Sequence, residues 1–160
     1  AGKGRIIAIT GTNGKTTTTA MTACVFDKII EFGEYGDERG NLVVAEGSGR
    51  DIPFEIKRTY WLYDVPGGEC RGGHAYRDTD EFLIALSGSF DVIVDDGKEK
   101  KTFHMNRSYY GLYIPKGMWR EIDNFSTNSI ALEFASTPYD PADYIRDYDE
   151  FLKQKADGKI

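Results

Sequence analysis

Cysteine is scarce in this chain: Cys24 and Cys70 are the only two among 160 residues. Two thiols cannot make a disulfide scaffold, and the scarcity suits a reducing, cytoplasmic setting. No apolar run approaches the roughly 20 residues that span a bilayer. The start does not read as a secretory signal, so neither a membrane helix nor export is expected. Positive charge is in the minority, with 20 Lys and Arg against 26 Asp and Glu and a formal net charge of −6. That balance argues against a general nucleic-acid binder and against an anionic-membrane binder. An anionic small ligand stays open, because a few local Arg residues override net charge. Disorder is excluded by what is present: 40% hydrophobic residues, ten Tyr and nine Phe. A chain of this length buries about 70% of its unfolded surface and needs no staples to build one core.

Organisation changes near residue 25. Residues 1–24 hold a short apolar strand candidate, Arg5 to Thr10, then Gly11-Thr12-Asn13-Gly14-Lys15-Thr16 and a run of Thr. Beyond them come short β-like runs separated by turn signals, at 28–32, 41–46, 54–63, 81–87, 90–95, 100–105, 110–115 and 129–136. Eight such runs at this spacing predict an all-β sandwich or barrel. Phe90, Val92 and Val94 alternate onto one face, as in a half-buried strand. Asp95-Asp96-Gly97-Lys98 marks a tight hairpin. Near the end, Asp140 or Pro141 is expected to start a helix running to about Lys155, packed on the barrel through Tyr144, Ile145, Tyr148, Phe151 and Leu152.

The loop at 11–16 could point backbone N–H groups at a phosphate, with Lys15 and Thr16 meeting phosphate and Mg²⁺. It lacks the first Gly of a full Walker A pattern, where Ile9 stands, and it resembles the shorter P-loop of the Mur ligases. A P-loop needs a parallel sheet around it, and the rest of the chain is claimed by a barrel pattern. Residues 1–24 are therefore expected to be a non-functional extension and residues 25–155 the working domain, an ATP-dependent enzyme being the competing reading.

Gly68, His74, Tyr76, Glu81 and Gly88 fall at the spacing of the first cupin motif, and Pro115, Gly117, Arg120 and Asn124 at that of the second. The spacing is intact, but Tyr76 and Arg120 replace two of the three ligand His. A divalent-metal cupin needs its imidazoles and carboxylate around one cavity, and a cation in a ligand's place is unfavourable there. The expectation is a metal-free jelly-roll barrel. Arg58 and Tyr60 share a strand face, and Arg71 lies three residues before His74 in a Gly-rich stretch. Several Arg residues aimed into one cavity suit phosphates, although each could instead pair with a local carboxylate. Cys70 and His104 read as incidental.

The runs at 52–76, 87–100, 111–126 and 139–152 together resemble the dTDP-sugar 3,4-ketoisomerases, the FdtA/QdtA or WxcM-like C-terminal family, over about residues 27–153. The resemblance implies a cupin without metal or other cofactor, a homodimer, acting on dTDP-4-keto-6-deoxyglucose. It implies a 3-keto product that is later aminated for bacterial surface glycans. His74 matches the first His of the family's pair and is the expected base, suited to neutral pH. Tyr76 stands where the second His would be. A phenol is a poor base there, but it can donate to a developing enolate. By position Arg58, Tyr60 and Arg71 match the sugar-nucleotide pocket, Arg39 a residue near the active site, and Arg120 a further substrate-binding position. The competing readings are a nucleotide-sugar binding module without catalysis and an epimerase.

Overall fold

The computed structural model describes residues 28–160. The expected extension at 1–24, with its P-loop-like segment, lies outside the described residues. One sheet holds β1 (Lys28–Glu31), β9 (Tyr110–Ile114), β6 (Glu81–Ser87), β11 (Ile130–Ala135) and β4 (Arg58–Leu62), in that spatial order. The second holds β12 (Tyr144–Ile145), β5 (Arg71–Tyr76), β10 (Trp119–Asp123), β7 (Phe90–Asp95) and β8 (Lys100–Met105). A separate hairpin pairs β2 (Glu34–Asp37) with β3 (Gly40–Val43). This is a cupin-like β-sandwich with one short C-terminal helix, α1 (Tyr148–Ala156).

Alternation along each strand decides what faces the interior. In β7, Phe90, Val92 and Val94 are buried and pack with Leu83, Leu112 and Ile122. Each such side chain contributes about 1.5–3 kcal/mol on leaving water. The β7–β8 turn closes where Gly97 takes φ +88°, with the Asp96 carboxylate accepting from the amides of Lys98 and Glu99. Strands β6, β7 and β8 match the sequence runs end to end. Strands β2, β5, β10 and β12 were not among those runs.

The helix starts later than Asp140 or Pro141. A single 3-10 turn, Pro141–Asp143, follows the Asp140 cap, and the chain then straightens into β12. Tyr144 and Ile145 are ladder partners of Tyr76 and Ala75 rather than members of a helix face. Asp147, accepting from the Glu150 amide at 2.8 Å, caps the actual helix start. Sheet pairing therefore overrides the helical spacing of Tyr144 and Ile145. Phe151 does pack inward, against Trp119 and Ile145.

Candidate active site

The site forms where β5 and β10 of one sheet face β4, β6 and β11 of the other. The Gly-rich start of β5 is what lets the two sheets' polar groups meet. Gly72 takes φ +87°, and a Cβ there would lie 2.7 Å from Arg120 Nη1 and 2.9 Å from the Arg120 carbonyl oxygen. Only glycine fits this approach. A bulge between Arg120 and Glu121 leaves Arg120 directly opposite His74 across the β5–β10 ladder.

His74 is buried, its ring 4.9 Å from those of both Tyr76 and Tyr144. It bonds the Gly72 backbone, while Nε2 has no hydrogen-bond partner among the described residues. Burial, then the positive charge of Arg120, lowers its pKa to about 4. The imidazole is therefore neutral near pH 7, with a lone pair on Nε2 free to take a proton. Tyr76 is buried beside it, and burial together with Glu81 raises its phenol well above the usual range. It stays a hydrogen-bond donor at neutral pH.

Behind these rings sits a polar cluster. Arg120 reaches both Glu81 oxygens at 2.9 Å and Glu133 Oε2 at 2.8 Å. The Tyr60 hydroxyl bonds Glu81 and lies 2.8 Å from Glu133 Oε2. Burial pushes the Glu81 carboxyl up, but the Arg120 guanidinium outweighs it and holds the acid at about 2. Glu81, the carboxylate of the first cupin motif, thus has a guanidinium where a metal cation would stand. Among the described residues no group of three His, Cys, Asp or Glu side chains could hold a metal ion. The donor set does not fit one.

Arg58 lines the opposite wall. Its Cζ lies 5.3 Å from the Tyr60 ring centre, 5.9 Å from Tyr76 and 5.7 Å from Tyr139. Its buried Nε and Nη2 have no partner among the described residues. Unpaired guanidinium donors in an aromatic cage suit a phosphate.

His74, Tyr76, Arg58, Tyr60 and Arg120 therefore come together. Arg120 holds carboxylates and is 3% exposed, which makes it a support of the site wall. Arg71 is exposed at the start of β5. Arg39 is exposed at the tip of the β2–β3 hairpin, paired with Asp37. Sequence reasoning missed Tyr144, which it set on a helix, and Tyr139 and Glu133. Buried Asp143 fixes Tyr144: it accepts from the Asp78 amide at 2.7 Å and from the Thr79 hydroxyl, tying the turn before β12 to the end of β5. An Asp one residue before an aromatic after a 3-10 turn was the available signal. Cys70 and His104 are exposed, His104 pairing with Asp91.

Known proteins resemble this chain in sequence and in fold. The family model FdtA, described as WxcM-like, C-terminal, matches residues 26–156. The TDP-4-oxo-6-deoxy-alpha-D-glucose-3,4-oxoisomerase of Aneurinibacillus thermoaerophilus is 40% identical over 127 residues, covering 79% of this chain and 91% of that protein. A 3,4-ketoisomerase from Helicobacter canadensis superimposes with a TM-score of 0.79 at 42% identity, over 81% of this chain and 97% of that one. The sugar 3,4-ketoisomerase QdtA from Thermoanaerobacterium thermosaccharolyticum, solved with TDP, gives 0.81 at 33% identity, over 86% of this chain and all of that one. A mutant of that enzyme was solved with TDP-4-keto-6-deoxyglucose.

Proposed function

The chain belongs to the FdtA family of WxcM-like, C-terminal domains, and from that premise we propose that it is a 3,4-ketoisomerase acting on dTDP-4-keto-6-deoxyglucose. The observation that carries the reading is the neutral His74, with Nε2 unpartnered, beside a donor phenol and unpaired Arg58 donors. The C4 ketone acidifies the C3 proton. His74 Nε2 takes that proton, and the C3–H electron pair becomes the C3–C4 double bond of an enediolate as charge moves onto O4. Tyr76 donates a hydrogen bond to the developing oxyanion. The imidazolium then returns its proton to C4. The O3 hydroxyl proton passes to O4, leaving a ketone at C3 and a hydroxyl at C4 with no net change in atoms. One base can serve both carbons, and an imidazolium that exchanges with solvent before the return step delivers deuterium in D₂O. Arg58 is the natural anchor for the diphosphate, with Tyr60, Arg71 and Arg39 as further substrate contacts.

The reading includes a homodimer. It is supported by the outer face of the β4-edged sheet, where Phe32, Ile84, Leu86, Leu132 and Phe134 line an open apolar groove of about 570 Å³. The hairpin beside it leaves Tyr35 and Leu42 exposed, and a lone hairpin is marginal in water. The setting would be the cytoplasm, in the making of amino sugars for surface polysaccharide. No helix among the described residues is long and apolar enough to cross a membrane.

The test is carbon NMR on dTDP-4-keto-6-deoxyglucose labelled at C3 and C4. The ketone resonance is expected to move from C4 to C3 on adding the protein. A ketone that stays at C4 while the nucleotide sugar binds would make the protein a binding module.

A further inference from the structure

Three buried ionisable groups meet behind the site, and their charges do not balance. Arg120 carries one positive charge and faces two carboxylates, Glu81 and Glu133, all three at most 3% exposed. Glu133 Oε2 accepts from Arg120, while Glu133 Oε1 is buried without a donor among the described residues. An uncompensated carboxylate in such surroundings takes up a proton instead of remaining charged. The groups facing Glu133 come from each strand around it: Tyr60 on β4, Glu81 on β6 and Arg120 on β10, with His74 and Tyr76 of β5 next to them. Arg58, beside Tyr60 on β4, is a further cation whose charge reaches Glu81, but its Nε and Nη2 bond neither carboxylate. Tyr60 continues the network outward, since the Tyr76 hydroxyl bonds both Tyr60 and Tyr144.

We propose that Glu133 is a positioning residue that holds one proton, shared toward Glu81, in the working enzyme. That proton makes the Glu81–Arg120–Glu133 cluster neutral. The enediolate at His74 and Tyr76 then forms without a negative charge behind it, a consequence that rests on the ketoisomerase reading. Burial and the adjoining Glu81 carboxylate outweigh Arg120 and push the Glu133 acid up to about 7. Above that pH the cluster becomes net negative and opposes the anionic intermediate, so turnover falls.

Two measurements decide it. Infrared difference spectra of the protein carrying carboxyl-labelled glutamate should show a protonated carboxyl band at pH 6 that disappears between pH 6 and 8 and is missing in Glu133→Gln. The labelled wild-type protein gives this answer even if the variant fails to fold or the protein turns over no sugar. The kcat of the wild type should fall as pH rises through about 7. Glu133→Gln, whose amide copies the neutral acid, should stay within about tenfold of wild type at pH 6 and lack that falling limb. Absence of the acid band at pH 6 would overturn the proposal, as would a falling limb that survives in Glu133→Gln.

Discussion

The imidazole of His74 meets the ring of Tyr76 edge-on, with ring centres 4.9 Å apart and planes at 81°. Tyr144 closes the other side at the same distance. The base is thus held by ring contacts and by the Gly72 backbone, and Nε2 is left to the substrate. A catalytic imidazole is usually oriented by a carboxylate. Here Glu81, the carboxylate of the motif, pairs with Arg120 instead.

His74→Asn should lower kcat by about 10²–10⁴-fold, the range for loss of a general base. The fold should persist, because the Tyr76 and Tyr144 rings that His74 meets are held by their own strand pairing. Steady-state kinetics beside a thermal melt checks both. Near-normal kcat in a folded variant would remove His74 as the base.

Tyr76→Phe separates the phenol's packing from its donor role. Ring packing survives the change, so stability should hold while kcat drops roughly tenfold or more through loss of one hydrogen bond to the oxyanion. Unchanged kcat would reduce Tyr76 to packing. Tyr76→His restores the family's pair and is expected to retain activity.

Arg58→Met keeps the apolar stem and removes the unpaired donors. Affinity for TDP, read by calorimetry, should weaken roughly tenfold to a hundredfold, the loss of a charge-assisted hydrogen bond of about 1.5–3 kcal/mol. The kcat at saturating substrate should move far less. TDP binding as tight as in the wild type would place the diphosphate elsewhere.

Stability should also carry the site's titrations. Glu133 moves up from its ordinary 4.5 to about 7 on folding. Its contribution is full below 4.5 and is lost as pH rises toward 7. His74 moves down from 6.5 to about 4. Folding holds it neutral, so its contribution is full above 6.5 and is lost as pH falls toward 4. The two slopes oppose between 4.5 and 6.5. In Glu133→Gln only the His74 slope remains, and the melting temperature should climb more steeply across that window than in the wild type. Equal slopes in the two proteins would contradict these assignments.

The barrel was legible in the sequence because β6, β7 and β8 alternate or run apolar between clear turns. The strands that build the site were not. β5 begins Arg71-Gly72-Gly73, which reads as loop, yet Gly72 is what admits Arg120. β10 carries Arg120 inward, where alternation predicts an apolar residue, because Glu81 and Glu133 await it. Tyr144 followed helical spacing, and only its pairing with Tyr76 shows it as a wall of the site. Motif spacing found His74, Tyr76 and Arg120. Glu133 carried no local signal, since its partners arrive from three other strands.

The most direct test of the ketoisomerase account is proton NMR of the protein with dTDP-4-keto-6-deoxyglucose in D₂O. The account predicts a new 3-keto species with deuterium entering the ring, both lost in His74→Asn. Exchange at C3 without that species would indicate an epimerase-like enzyme, and an unchanged spectrum with the nucleotide sugar bound would contradict the account outright.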